Sequence, residues 1–165
     1  MAPVVPTLKN TGPGNSYIAT GPGSKAIFKK IMNKIEHIGI AVKNLSVSIP
    51  LFEKLLNSEC YKTELVETEK VTTAFFKTGD DKIELLESAE EDSIIARFIE
   101  KRGEGIHHIA FDVENIEAEM TRLKKEGFIL LNETPKKGAD NKLVCFLYPK
   151  TTNGILVELC QEIKL

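Results

Sequence analysis

Two histidines and two glutamates stand at matching places of two similar halves of this chain. EHIGIAV at 36–42 and HHIAFDV at 107–113 are short strand-like runs, each with a histidine near its start. Some fifty residues after each comes a run with a central glutamate, KIELLES at 82–88 and ILVELCQ at 155–161. The repeat supplies His37, Glu84, His108 and Glu158, with histidine-to-glutamate spacings of 47 and 50 residues. A lone strand histidine is ordinarily hydrogen-bonded or exposed, and a lone strand glutamate solvated. Recurrence of both types at equivalent points is what directs the reading to a divalent metal. Two imidazoles and two carboxylates, without sulfur, suit an octahedral ion and leave two adjacent positions for a chelating substrate. The chemistry is that of a Lewis acid, and it requires no serine or cysteine nucleophile.

Such ligands must be carried on strands that turn them to one side. Side chains alternate along a strand, so Ile38, Ile40 and Val42 share one face and His37, Gly39 and Ala41 the other. Ile109, Phe111 and Val113 likewise oppose His108, Ala110 and Asp112, and the same alternation puts His107 on the apolar side. Glu84 alternates with Ile83 and Leu85, and Glu158 with Val157 and Leu159. A sheet curling around the faces opposite these bulky residues gathers the four ligands in a cup.

The pattern from Ile35 onward is regular. It predicts a strand at 35–42, a helix at 44–57 capped by Asn44 or Ser46 with Pro50 in its first turn, and strands at 62–68, 70–77 and 82–87. TGDD at 78–81 makes the last hairpin turn. Residues 90–104 form a helical linker stopped by Gly103. The order then repeats: a strand at 106–113, a helix at 115–126, and strands near 128–132, 142–148 and 154–161. The expected fold is α+β, two tandem βαβββ modules (about 34–90 and 105–162) in a curved, cup-shaped mixed sheet with helices on its outer face.

Residues 1–33 are expected to be a flexible extension ahead of a single domain at 34–165. The first 24 residues are rich in Gly, Pro, Thr, Asn and Ser, with GPG at 12–14 and 21–23, and no periodicity supports a helix or strand. The stretch lacks the apolar segment of a secretory signal. Being free of acidic residues, it has a weak likeness to a mitochondrial transit peptide, and Met32 is an alternative start. A cytoplasmic location is expected, or the mitochondrial matrix if the extension is a transit peptide.

Composition narrows the function classes. With 165 residues, 42% hydrophobic and 28% charged, the chain can bury a core without a disulfide staple. Cys60, Cys145 and Cys160 are odd in number and lack C-x-x-C spacing, as small core residues of a reduced protein would be. Residues 1–34 hold five lysines and no acid, so the remainder carries 17 Lys and Arg against 24 Asp and Glu. That acidic balance opposes nucleic-acid binding. No apolar run is long enough to span a bilayer.

Across residues 34–162 the chain closely resembles methylmalonyl-CoA epimerases of the vicinal-oxygen-chelate (glyoxalase-like) superfamily. The resemblance rests on IEHIGIAV, KIELLES, ARFIEKRGEGIHHIAFDV, LNETPKKGADNK and FLYPKTTNGILVEL. It implies that His37, Glu84, His108 and Glu158 are the metal ligands, with Co²⁺ first among candidates and Mn²⁺, Ni²⁺ or Zn²⁺ as alternatives. The implied reaction interconverts (R)- and (S)-methylmalonyl-CoA through a metal-stabilised enolate. Glu158 is assigned a second, catalytic role as a base through its metal-free oxygen. Two positions depart from the pattern: Thr73 stands where some relatives have a proposed glutamate base, and Tyr148 where many have histidine. Coenzyme A needs phosphate contacts, and Lys136, Lys137, Lys142 and Lys150 are expected to form a local positive rim beside Gly138. A homodimer is implied by the relatives. A glyoxalase-type isomerase and a non-catalytic small-molecule-binding protein are the competing readings on the same scaffold.

Overall fold

The computed structural model of the protein describes residues 7–10, 16–20, 27–29 and 32–164. Near the N-terminus β1 (Thr7–Asn10), β2 (Ser16–Thr20) and β3 (Ile27–Lys29) pair antiparallel as a small sheet. The sequence pattern predicts no strand there. Backbone pairing needs no hydrophobic alternation, which is why a period-based reading passes over strands this short.

The domain proper begins with β4 (Met32–Ala41), followed by α1 (Leu45–Leu56), β5 (Lys62–Val66), β6 (Val71–Thr78) and β7 (Asp81–Ser88). Helix α2 (Ile94–Arg102) then leads to β8 (Gly105–Val113), α3 (Ile116–Lys125), β9 (Lys136–Lys137), β10 (Lys142–Leu147) and β11 (Val157–Glu162). Eight strands form one sheet in the order β5-β6-β7-β4-β8-β11-β10-β9. The sequence is read the same way from either end: β4 and β8 meet antiparallel at the centre, each flanked by the last strand of its own module in parallel. This is the expected α+β cup of two βαβββ modules.

Two helices seal its outer face. Helix α1 lies on Val42, Ala74, Phe76 and Leu85, and α3 packs Ile116, Met120 and Leu123 against Val113, Cys145, Leu147 and Leu159. Asn44, Ser93 and Asn115 cap α1, α2 and α3, each side chain accepting a first-turn amide. Because Asn44 is the cap, Pro50 falls in the second turn of α1 rather than the first. The carbonyl it deprives, that of Ser46, belongs to an exposed residue, so solvent can satisfy it. Helix α2 serves the other side of the sheet: its Ile95 packs on Ala41, Val71 and Leu86 at the open end of the cup.

The expected strand at 128–132 shrinks to one bridge, Leu130 with Leu147. Beyond it the Asn132 side chain, not a strand backbone, accepts the Phe146 amide, and Pro135 cannot donate to a ladder. The following segment pairs again at β9 and then lies against the concave side of the cup. Asp140 there accepts from Lys82 Nζ at 2.7 Å and Lys62 Nζ at 3.3 Å, and its amide donates to Glu64 at 3.0 Å. Module two is thereby tied to β5 and β7 of module one.

Candidate metal centre

The positions of the four repeated residues follow from strand register. On the two central strands Gly39 stands opposite His108 on β8 and beside Glu84 on β7. Ala110 stands opposite His37 on β4 and beside Glu158 on β11. Each small residue thus has one histidine and one glutamate as cross-strand neighbours, and the small side chains leave the concave floor to the large ones. Gly39 is required by space: a Cβ there would lie 2.2 Å from Cε1 of His108.

All four side chains converge. Nε2 of His37 and Nε2 of His108 lie 2.9 Å apart. His37 Nε2 is 3.2 Å from Glu84 and 3.4 Å from Glu158, while His108 Nε2 is 3.5 Å and 3.0 Å from the same two carboxylates. None of the four residues is more than 6% exposed. Burial alone would neutralise them, yet mutual fields prevail: Glu84 is brought down to about 2, Glu158 is also lowered, and both imidazoles are raised. The carboxylate field that favours protons on these imidazoles would equally favour a cation. Two neutral imidazoles and two carboxylates carry a net charge of −2, which a divalent ion balances, so the donor set fits such an ion in type, burial and charge.

The centre forms the floor of a cavity of about 320 Å³. Glu84, His108 and Glu158 open into it, with Val71, Leu86 and Phe146 as walls. Thr73 also faces the cavity, but its hydroxyl is engaged with the Glu64 carbonyl at 3.3 Å. Tyr148 is not among the cavity residues; it precedes the 3-10 turn Pro149–Thr151. The two oxygens of Glu158 face different partners. Oε2 meets the imidazoles, and Oε1 accepts from the Cys160 thiol at 3.4 Å. Burial, with the Glu158 charge beside it, pushes that thiol well above its usual value.

Among the four lysines of the expected rim, Lys136 lines the cavity, Lys137 is exposed on β9, and Lys150 is exposed above the Tyr148 ring. Lys142 departs from that expectation. It is 8% exposed, and its Nζ is 3.1 Å from Glu162 and 3.6 Å from Glu36. The alternation of β10 turns it inward beside acids, so it does not join a solvent-facing rim.

Two neighbours of the centre are not assigned to it by the sequence pattern. His107 lies on the cavity side, not the apolar side, because β8 carries an extra residue there: Gly39 pairs with His108, but Ile40 pairs with Ile106. Burial and the adjacent His108 lower His107 to about 4, so it is neutral at ordinary pH. Glu36, 4% exposed, accepts from Nδ1 of His37 and from Lys82 Nζ at 2.5 Å. A polar residue immediately before each repeated histidine was the available signal for both.

Comparison with known proteins agrees with this architecture. The profile of the Glyoxalase/Bleomycin resistance protein/Dioxygenase superfamily matches residues 36–146. An ethylmalonyl-CoA/methylmalonyl-CoA epimerase of Cereibacter sphaeroides is 40% identical over 133 residues, covering 79% of this chain and 99% of its own. A mitochondrial methylmalonyl-CoA epimerase of Dictyostelium discoideum is 38% identical over 144 residues, 85% of this chain and 87% of its own. Among solved structures, a Streptomyces coelicolor methylmalonyl-CoA epimerase in complex with 2-nitronate-propionyl-CoA superposes with a TM-score of 0.77 at 31% identity, over 81% of this chain and 99% of that one.

Proposed function

Because the chain belongs to the glyoxalase/bleomycin resistance protein/dioxygenase superfamily, we propose that it is an isomerase interconverting (R)- and (S)-methylmalonyl-CoA by removing and returning the α-proton. The observation that carries this is the convergence of His37, Glu84, His108 and Glu158, the last three lining a cavity, in a chain whose relatives include named methylmalonyl-CoA epimerases. His37, Glu84, His108 and Glu158 are assigned as ligands of a divalent ion, Co²⁺ first, with Mn²⁺, Ni²⁺ or Zn²⁺ as alternatives. When bound, such an ion would supply Lewis-acid polarisation of the thioester carbonyl, which acidifies the α-hydrogen and stabilises the enolate left by its loss.

The chain's own residues supply the rest. The walls formed by Val71, Leu86 and Phe146 exclude water and hold the acyl group over the floor. Glu158 is assigned one proton transfer through Oε1, the oxygen turned away from the imidazoles. Lys136, with Lys137 and Lys150 farther out, is assigned to the phosphates of coenzyme A; Lys142 is left out of that set because its ammonium is paired and buried. The active unit is proposed to be a homodimer of the 34–165 domain, cytoplasmic, or in the mitochondrial matrix if residues 1–33 serve as a transit peptide. No helix among the described residues is long and apolar enough to cross a membrane.

The test is proton exchange. Methylmalonyl-CoA incubated with the protein in heavy water should gain deuterium at C2, and a chelator should abolish the gain while added Co²⁺ restores it. Absence of metal-dependent exchange in metal-loaded protein would refute the reading. Turnover of a hemithioacetal instead would select the glyoxalase-type isomerase.

A further inference from the structure

The two ligand histidines share a feature that their repeat alone does not require. In β4, Ile35 pairs with Phe111 and His37 with Ala110, so Glu36 is an extra residue without a partner of its own. In β8, Gly39 pairs with His108 and Ile40 with Ile106, so His107 is the extra residue on that strand. Each ligand histidine is therefore preceded immediately by the bulged residue of a β-bulge. A bulge breaks the strict alternation of side chains, and it lets neighbouring residues face the same side. Both bulged residues use that freedom alike. Glu36 accepts a hydrogen bond from Nδ1–H of His37, and His107 Nδ1 lies 3.0 Å from His108 Nδ1.

We propose that Glu36 and His107 are paired positioning residues, each fixing the tautomer and ring orientation of the following histidine so that Nε2 is presented to the metal. A carboxylate has no proton to give, so the Glu36 contact obliges Nδ1 of His37 to be the donor and leaves the Nε2 lone pair free. For His108 to offer Nε2, its Nδ1 must likewise carry the proton and His107 Nδ1 must accept. Each partner is itself held. Glu36 is fixed by Lys82, and the His107 ring stands edge-on to Phe98 of α2 with centroids 5.0 Å apart. The two halves have thus reached one function with different acceptors, a carboxylate in module one and an imidazole in module two. Partners of this kind typically change metal affinity 10–100-fold when removed.

The inference rests on the metal reading above, and the experiment separates the two. Co²⁺ affinity is measured by chelator competition for the parent protein, His37→Ala, His107→Phe, His107→Asn, Glu36→Leu and Glu36→Gln. Proton NMR of the Co²⁺-loaded proteins follows the hyperfine-shifted, exchangeable Nδ1–H signals. We expect His107→Phe and Glu36→Leu each to weaken Co²⁺ binding roughly 10–100-fold and each to broaden a different one of two exchangeable signals. His107→Asn and Glu36→Gln, which keep an acceptor, should recover most of the affinity. Glu36→Leu also strips Lys82 of a partner and can fail to fold; His107→Phe preserves ring volume beside Phe98 and decides the matter alone if so. Parent-like affinity with both signals intact in His107→Phe overturns the proposal while leaving the metal site standing. If the parent takes up no Co²⁺, or His37→Ala binds it as tightly as the parent, the metal reading itself falls and takes this inference with it.

Discussion

Module one presents β5, β6 and β7 as three continuous strands, whereas module two reduces its counterpart of β5 to the Leu130–Leu147 bridge and the two-residue β9. The inner strands show no such divergence: β4 with β7 and β8 with β11 repeat the same parallel pairing and place one histidine and one glutamate each. The halves are alike where the four candidate ligands are positioned and unlike at the cup's edge. A ligand set needs fixed geometry from rigid strands, while a mouth that admits a substrate needs chain free of the ladder. In module two this thinly paired segment contributes Leu131, Lys136 and Gly138 to the cavity and latches through Asp140 onto module one.

If the inner halves are equivalent, His37→Ala and His108→Ala should be equally damaging. Each is expected to reduce the bound divalent ion from about one per chain to a small fraction, measured by elemental analysis of protein purified without chelators. Full retention by one variant would break the symmetry of the ligand assignment.

A smaller effect probes the central pair of small residues. Gly39→Ala would put a methyl group into the His108 ring. The expected cost is roughly 1–3 kcal/mol of stability, together with weakened metal uptake as the ring is displaced. Ala110→Gly only removes a methyl group, and should cost about 0.5–1 kcal/mol with metal uptake retained. Comparable metal loss in both variants, by denaturant unfolding and metal titration, would show that the close approach at Gly39 is not what distinguishes them.

The edge of module two gives the next contrast. Lys136→Ala should raise KM for the acyl-CoA about 2–5-fold with kcat little changed, the scale of one exposed charge contact. Lys142→Ala should instead lower the melting temperature and leave KM alone, because its ammonium is buried against Glu36 and Glu162. Steady-state kinetics and thermal melts together check the separation.

The smallest effect concerns the latch. Burial raises the Asp140 carboxyl, but hydrogen bonds and charge from Lys82 and Lys62 outweigh it, and its value is lowered overall. A carboxylate lowered on folding adds stability above its unfolded value and loses it as pH falls through the folded one. Asp140→Asn should therefore cost about 1 kcal/mol or less at neutral pH, given its partial exposure. Parent and variant should converge as the medium is acidified below the ordinary carboxylate range. A gap that stays constant with pH would show that the latch is not electrostatic.

The architecture was legible in the sequence because it is written in periodicity. Alternation in EHIGIAV and HHIAFDV, the Asn44 cap and the Gly103 stop all report local physics. The strand at 128–132 was misread because an apolar run does not reveal that the Asn132 side chain takes the Phe146 amide. Lys142 was misread because the turn around GAD looks polar throughout, although β10 already begins at Lys142 and turns it inward.

By itself the sequence determined the two-module fold and the four residues that meet on its concave side, since repeated residue types and strand alternation are local properties of the chain. Tertiary structure alone decided which neighbours touch them. The bulges at Glu36 and His107, the clearance over Gly39 and the latch at Asp140 all arise from register between strands far apart in sequence. A one-residue offset in such pairing changes which way a side chain faces, and nothing within a single strand records it.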